Sequence, residues 1–89
     1  MSLEDDEIKL YPCEFPIKVM GRASDEFEAE VLGIIRTHFP DLPATAITSR
    51  FSKDKNYLAL TIVVEAQSRA QLDTLYHALN ANQHVIMAL

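Results

Sequence analysis

The chain is poor in cysteine, glycine and cationic side chains, and it has no long apolar run. A single cysteine, Cys13, excludes an internal disulfide framework and fits a reducing compartment. Two glycines and 4 prolines beside 48% hydrophobic residues exclude a disordered or low-complexity chain. No apolar stretch approaches the roughly 20 residues that cross a bilayer, so no membrane association is expected. Glu4, Asp5, Asp6 and Glu7 have the wrong sign for a secretory or transit peptide, and the expected location is cytoplasmic. Eight Lys and Arg face 13 Asp and Glu, a net charge of −5. That balance argues against nucleic acid as a partner, because phosphate neutralisation needs a basic surface.

What is present is clear strand and helix patterning. Thr45 to Glu65 reads as two strands around a polar turn, Lys53 to Asn56. In the second of them Leu58, Leu60, Ile62 and Val64 alternate with Tyr57, Ala59, Thr61 and Val63, a period of two that only a strand produces. The first of them, about Thr45 to Ser52, places Ile47 and Phe51 inward. Upstream, Ile17 to Gly21 reads as an opening strand, with Phe15, Ile17 and Val19 facing inward and Gly21 at a sharp turn. Tyr11 to Pro16, with two prolines and two aromatics, reads as an extended arm on the surface. Tyr11 and Phe15 are expected to plug an edge of the core.

Two helices fill the gaps. Ser24 is an N-cap with Asp25 and Glu26 in the first turn, and Phe27, Val31, Ile34, Ile35 and His38 make one stripe. Gly33 interrupts this helix, and close packing on the sheet would account for it. Ser68 with Gln71 forms a capping box, and Leu72, Leu75, Tyr76 and Leu79 face inward. His84 to Leu89 closes the chain as a short strand, with Val85, Met87 and Leu89 on one face. Residues 1–10 are expected to be an acidic, flexible tail, and residues 11–89 a single domain.

The order βαββαβ predicts an α+β, ferredoxin-like two-layer sandwich. Its antiparallel sheet has spatial order 4-1-3-2, with both helices on one face. This topology puts the Gly21–Ser24 turn and the Lys53–Asn56 hairpin at the same end. Arg22, Lys53 and Lys55 gather there, with Arg50 near, as a local basic rim on an acidic protein. The plain alternative is that these charges are solvated and answered by Asp25, Glu26 and Asp54. The second sheet face, without helices, carries Lys18, Met20, Thr48, Arg50, Tyr57, Ala59, Thr61, Val63, Ile86 and Ala88. An apolar face of that kind marks an interface or is covered by the arm.

Several chemistries lack their residues. A copper-chaperone site needs two thiolates, and there is one. The Gly21–Ser24 turn offers one glycine and one arginine beside two acids, too little for a phosphate-cradling enzyme loop. Only Tyr57 is placed to stack a base. His38, His77 and His84 are scattered without metal-ligand spacing, and Cys13 has no activating neighbour in sequence. No catalytic residue, metal site or cofactor is expected, and the chain does not read as an enzyme.

Tyr11-Pro12, Phe15-Pro16-Ile17-Lys18-Val19-Met20-Gly21, Ser52-Lys53, Asn56-Tyr57, Thr61-Ile62, Gln71-Leu72-Asp73-Thr74-Leu75-Tyr76 and Val85-Ile86-Met87-Ala88-Leu89 together resemble the YbeD-like proteins. These are small bacterial proteins of unknown function. The resemblance covers about residues 10–89 and implies a fold like that of the ACT regulatory domains, which sense amino acids beside metabolic enzymes. It brings no established activity and no catalytic residues. Relatives often carry glycine in the hairpin where Asp54-Lys55 stands here.

Two functional expectations follow. One is a regulatory module that binds a small metabolite, an amino acid or other carboxylate, through Gly21, Arg22, Ser24, Lys53 and Lys55, with Arg22 pairing the carboxylate. The other is a protein-interaction adaptor that presents Met20, Tyr57, Ala59, Val63 and Ile86, or an edge strand, to a partner. A homodimer is expected in either case.

Overall fold

The structure is a computed structural model that describes residues 11–89, so the expected tail over residues 1–10 lies outside the described residues. Strand β1 spans Cys13–Arg22 and helix α1 spans Asp25–His38. A single 3-10 turn, Ala44–Ala46, leads into β2, Ile47–Phe51. Strand β3 covers Tyr57–Ala66, helix α2 Arg69–Asn80 and strand β4 Val85–Ala88. The strands form one antiparallel sheet in the order β2-β3-β1-β4, which is the expected ferredoxin-like order.

Alternation decides which side of the sheet is dry. Leu58, Leu60, Ile62, Val64 and Ala66 of β3 are buried, as are Ile17 and Val19 of β1. Phe27, Val31 and Ile35 of α1 and Leu72, Leu75 and Leu79 of α2 close over them. Fully burying one such side chain contributes about 1.5–3 kcal/mol, so this single layer of contacts is the main source of stability. The helix starts are fixed locally. Ser24 Oγ accepts from Phe27 N at 3.0 Å, and Ser68 Oγ accepts from Gln71 N at 3.1 Å. The Gln71 side chain answers one residue further out than a capping box requires, accepting from Gln67 N at 2.8 Å.

The structure corrects the sequence reading in five places. First, residues 13–16 are not a surface arm. They belong to β1, which pairs with β3 without interruption from Cys13↔Ala66 to Arg22↔Tyr57. Pro16 is tolerated in a central strand for a specific reason. Lys18 N donates to Leu89 O, so the even positions of β1 direct their N–H groups toward β4. The β4 pairing stops at Lys18, and the N–H that Pro16 lacks has no ladder partner to lose. Tyr11 and Phe15 are half-buried against the core, and the Phe15 ring meets Tyr76 edge-on at 6.5 Å.

Second, β2 starts only at Ile47, because the 3-10 turn occupies Ala44–Ala46. Third, Phe51 lies opposite buried Leu58 on the helix side, yet 54% of it is exposed. It sits on an edge strand, and the helices pack mainly over β1, β3 and β4. Fourth, Gly33 does not mediate close packing, since a Cβ there would meet nothing within 4 Å.

Fifth, β4 does not keep a simple alternation. Met20 faces Met87 but Gly21 faces Val85, so Ile86 is the extra residue of a bulge. The parity reverses there. Val85 and Ala88 pack on the core, while Met87 joins Met20 on the other side. Ala88 therefore leaves the uncovered face, and Ile86, 57% exposed, drops out of the ladder.

Candidate functional site

The uncovered face can be read row by row from the strand register, because partners across antiparallel strands project to the same side. At one end Arg22 stands beside Tyr57. The next row is Met87, Met20, Ala59 and Arg50, followed by Leu89, Lys18, Thr61 and Thr48. Then come Pro16 and Val63, and finally Glu14 opposite Glu65. The face therefore carries one cation in each of its first three rows, an apolar pair in the fourth and two carboxylates in the last.

A groove of about 530 Å³ runs over the cationic half. Its floor is made of small or flexible residues, Ala59, Thr61, Thr48 and Met20, so the backbone lies close to the surface. Among the described residues, Lys18 and Arg50 are the only charged side chains in its lining, and no Asp or Glu side chain shares it. Met87 and Leu89 form an apolar flank, 44% and 67% exposed. A wider cleft of about 740 Å³ lies at the opposite end, beneath the α1–β2 connection. Glu14, Asp41 and Glu65 line it, with no lysine or arginine among the described residues. His38 borders it and spends Nδ1 on Ile34 O at 3.0 Å.

The basic rim is assembled in part. Ala23 N donates to Asn56 O at 2.9 Å, which ties the turn after β1 to the β2–β3 hairpin. The Arg22 guanidinium sits 5.7 Å from the centre of the Tyr57 ring, a cation–π arrangement that holds it over the face. Lys53 and Lys55 are exposed at the hairpin tip, and Lys55 adopts a left-handed φ of 65°. Ser24 is exposed, but its hydroxyl oxygen serves the α1 cap. Gly21 is buried, and any Cβ would overlap the Phe27 ring and the His84 carbonyl oxygen. The close approach that Gly21 permits is made by the chain itself, so no room is left there for a ligand.

The hairpin carries the clearest electrostatic feature. Asp54 accepts from the Ser52 hydroxyl at 2.8 Å, from Asn56 N at 3.1 Å and from Asn56 Nδ2 at 2.9 Å. The Ser52 bond, then the Asn56 backbone, hold its carboxyl below the ordinary carboxylate range. At the edge of β4, Glu30 accepts from Asn82 Nδ2 at 2.8 Å and lies 3.5 Å from His84 Nε2. Tyr76 is raised above the usual tyrosine range by burial. Among the described residues no three His, Cys, Asp or Glu side chains converge as a metal would need. Cys13 is a half-buried free thiol.

Of the expected interface residues, Met20, Tyr57, Ala59 and Val63 share the uncovered face. Sequence reasoning missed Glu14, Glu65, Met87 and Leu89. The first two were legible, since the inward alternation of Ile17 and Val19 runs back through Phe15 and Cys13. The last two were hidden by the bulge.

No helix among the described residues is long and apolar enough to cross a membrane. Among solved structures, the chain is similar to the ACT domain of GTP pyrophosphokinase from Chlorobium tepidum, with a TM-score of 0.68 at 18% identity. The match covers 85% of this chain and 94% of that one. It is also similar to protein HP0495 from H. pylori, with a TM-score of 0.74 at 14% identity over 100% of this chain and 93% of that one. These likenesses concern the fold. In sequence, it is 41% identical to a UPF0250 protein of Nitrosomonas europaea over 98% of this chain and 100% of that protein. A UPF0250 protein of Chromobacterium violaceum is 40% identical over the full length of both. The family described as "Protein of unknown function (DUF493)" matches residues 6–89. With its ACT-like fold and these full-length relatives, the chain belongs to the DUF493 family, the UPF0250 or YbeD-like proteins of unknown function.

Proposed function

We propose that this protein is a non-enzymatic, cytoplasmic regulatory module that works by binding a carboxylate on its uncovered sheet face. The observation that carries this reading is the groove over the cationic half. Lys18 and Arg50 line it, no Asp or Glu side chain among the described residues shares it, and the net charge of the chain is negative. A cation pair beside the apolar Met87–Leu89 flank favours an organic acid, because charge-assisted hydrogen bonds hold the carboxylate while the flank takes the carbon skeleton. Arg22, held over Tyr57, extends the cationic strip toward Lys53 and Lys55. The carboxylate comes either from a free metabolite such as an amino acid or from an acidic side chain of a protein.

A thermal-melt screen against amino acids and other organic acids tests this. A ligand at a hundredfold excess over its Kd stabilises by about 2.7 kcal/mol, several degrees for a domain of this size. The shift should vanish in the double variant Lys18→Ala, Arg50→Ala. A shift that survives both substitutions places the site elsewhere, and a flat panel removes the free metabolite. The exposed Met20, Met87 and Leu89 favour the second reading, an adaptor that docks a protein without any small ligand.

A further inference from the structure

Glu14 and Glu65 lie directly opposite each other in the last row of the uncovered face, an arrangement that costs stability while both are ionised. The cleft they line holds no lysine or arginine among the described residues. Pro16 and Val63 form the apolar row beside them. Lys18 stands in the row after that and Arg50 one row further on, in a groove that no described Asp or Glu side chain lines. From that end of the sheet, the face reads acidic, apolar, basic.

The chain enters β1 at the same end, since the strand begins at Cys13 beside Glu14. Read back from Tyr11, the preceding residues include Lys9, then Ile8, then Glu7, Asp6, Asp5 and Glu4. That order is basic, apolar, acidic, the complement of the rows. Lys9 is the only cation in residues 1–10. The reach also matches. Glu4 and Lys18 each stand seven residues from Tyr11, in opposite directions along the chain. An extended stretch of that length spans about 23 Å, so a chain that doubles back at Tyr11 brings its acids level with Lys18. The way onto the face is open there, because β4 borders β1 only from Lys18 onward.

We infer that residues 4–9 of this chain lie across its own uncovered face. The acids of residues 4–7 occupy the groove at Lys18 and Arg50, Ile8 covers Pro16 and Val63, and Lys9 answers Glu14 and Glu65. The inference rests on the reading that the groove binds carboxylates, and it names the chain's own acidic run as the resident one. The segment is then a tethered competitor, and an outside carboxylate enters only when it lifts. A short tether holds its acids at an effective concentration of about a millimolar. A groove left open roughly one-tenth of the time binds an outside ligand about tenfold more weakly than an open one. The contact is between charges near the surface, so salt weakens it.

The test compares the full chain with a full-length variant carrying Glu4→Gln, Asp5→Asn, Asp6→Asn and Glu7→Gln, which alters no residue of the described domain. The backbone amide shifts of Lys18, Thr48, Ala59 and Thr61 should differ between the two proteins in about 10 mM salt. They should converge in about 1 M salt, where the Debye length has fallen from about 30 Å to about 3 Å. The Ile8 methyls of the wild type should show NOE contacts to Val63. Amides that coincide at low salt, or an Ile8 without contacts to the face, overturn the inference. A difference that grows with protein concentration assigns the segment to a second copy and overturns it too. The capped peptide Glu-Asp-Asp-Glu, titrated into each protein, separates the inference from the carboxylate reading. It should bind the variant about tenfold more tightly than the wild type, and that binding should vanish when Lys18→Ala and Arg50→Ala are added. Equal binding to both proteins overturns the tethered competitor and leaves the carboxylate reading standing. No binding to either protein removes both.

Discussion

Gly21 shows how one missing Cβ decides a local structure. The space above its Cα is filled by the Phe27 ring and the His84 carbonyl, so β1, α1 and the entry to β4 close on the same point. Gly21→Ala should therefore destabilise by about 1–3 kcal/mol through overpacking, read as a lower denaturant midpoint with an unchanged slope. The reading of Gly21 as a sharp-turn residue is corrected: it lies inside β1, paired with Leu58 and Val85, and the crowding above its Cα is what requires glycine. A sequence shows that a glycine is present but not which atoms crowd it. Asp54 ties the hairpin together through hydrogen bonds from Ser52 and Asn56. Its folded pKa lies below the unfolded value, so its contribution is present above the unfolded pKa and is lost as pH falls through the folded one. Acidification below the ordinary aspartate range should loosen the hairpin. The backbone amide of Asn56, which donates to Asp54, should report this in an NMR pH titration, and Asp54→Asn should abolish that acid limb.

At the scale of elements, α1 carries an interior glycine with no packing role. Gly33→Ala should stabilise by about 1 kcal/mol, because it removes glycine's backbone entropy cost without any clash. A rise in melting temperature checks this, and a fall would mean that the open space above Gly33 is used by something outside the chain. The helix starts were legible because caps are local: Ser24 and Ser68 act on N–H groups three residues away. Strand ends were less legible. The alternation of β1 continues to Cys13, but two prolines masked it, and only the register shows that Pro16 has no ladder bond to lose. The bulge at Ile86 left no trace in the sequence, because one inserted residue in a four-residue strand cannot be told from a shift of phase.

For the whole molecule, the sheet separates two environments one residue apart. Ile62 is fully buried beneath the helices, and its neighbour Thr61 lies on the uncovered face. Ile62→Ala should cost about 2–5 kcal/mol, a large share of the 5–15 kcal/mol that stabilises an ordinary domain. Thr61→Ala should stay within about 0.5 kcal/mol. Parallel denaturation curves on the two variants make the comparison, and equal losses would mean that both faces are covered.

The order of elements, the helix caps, most of the inward stripes and, through the crossover rules, the ferredoxin-like strand order are legible in the residues alone. These depend on periodicity and short-range hydrogen bonds, which are written in neighbouring residues. The composition of the uncovered face depends instead on long-range pairing. That pairing set Glu14 against Glu65, moved Met87 onto the open face and Ala88 off it, and placed Arg22 over Tyr57. Each of those placements depends on the register between strands far apart in the chain, where a shift of one residue exchanges the two faces.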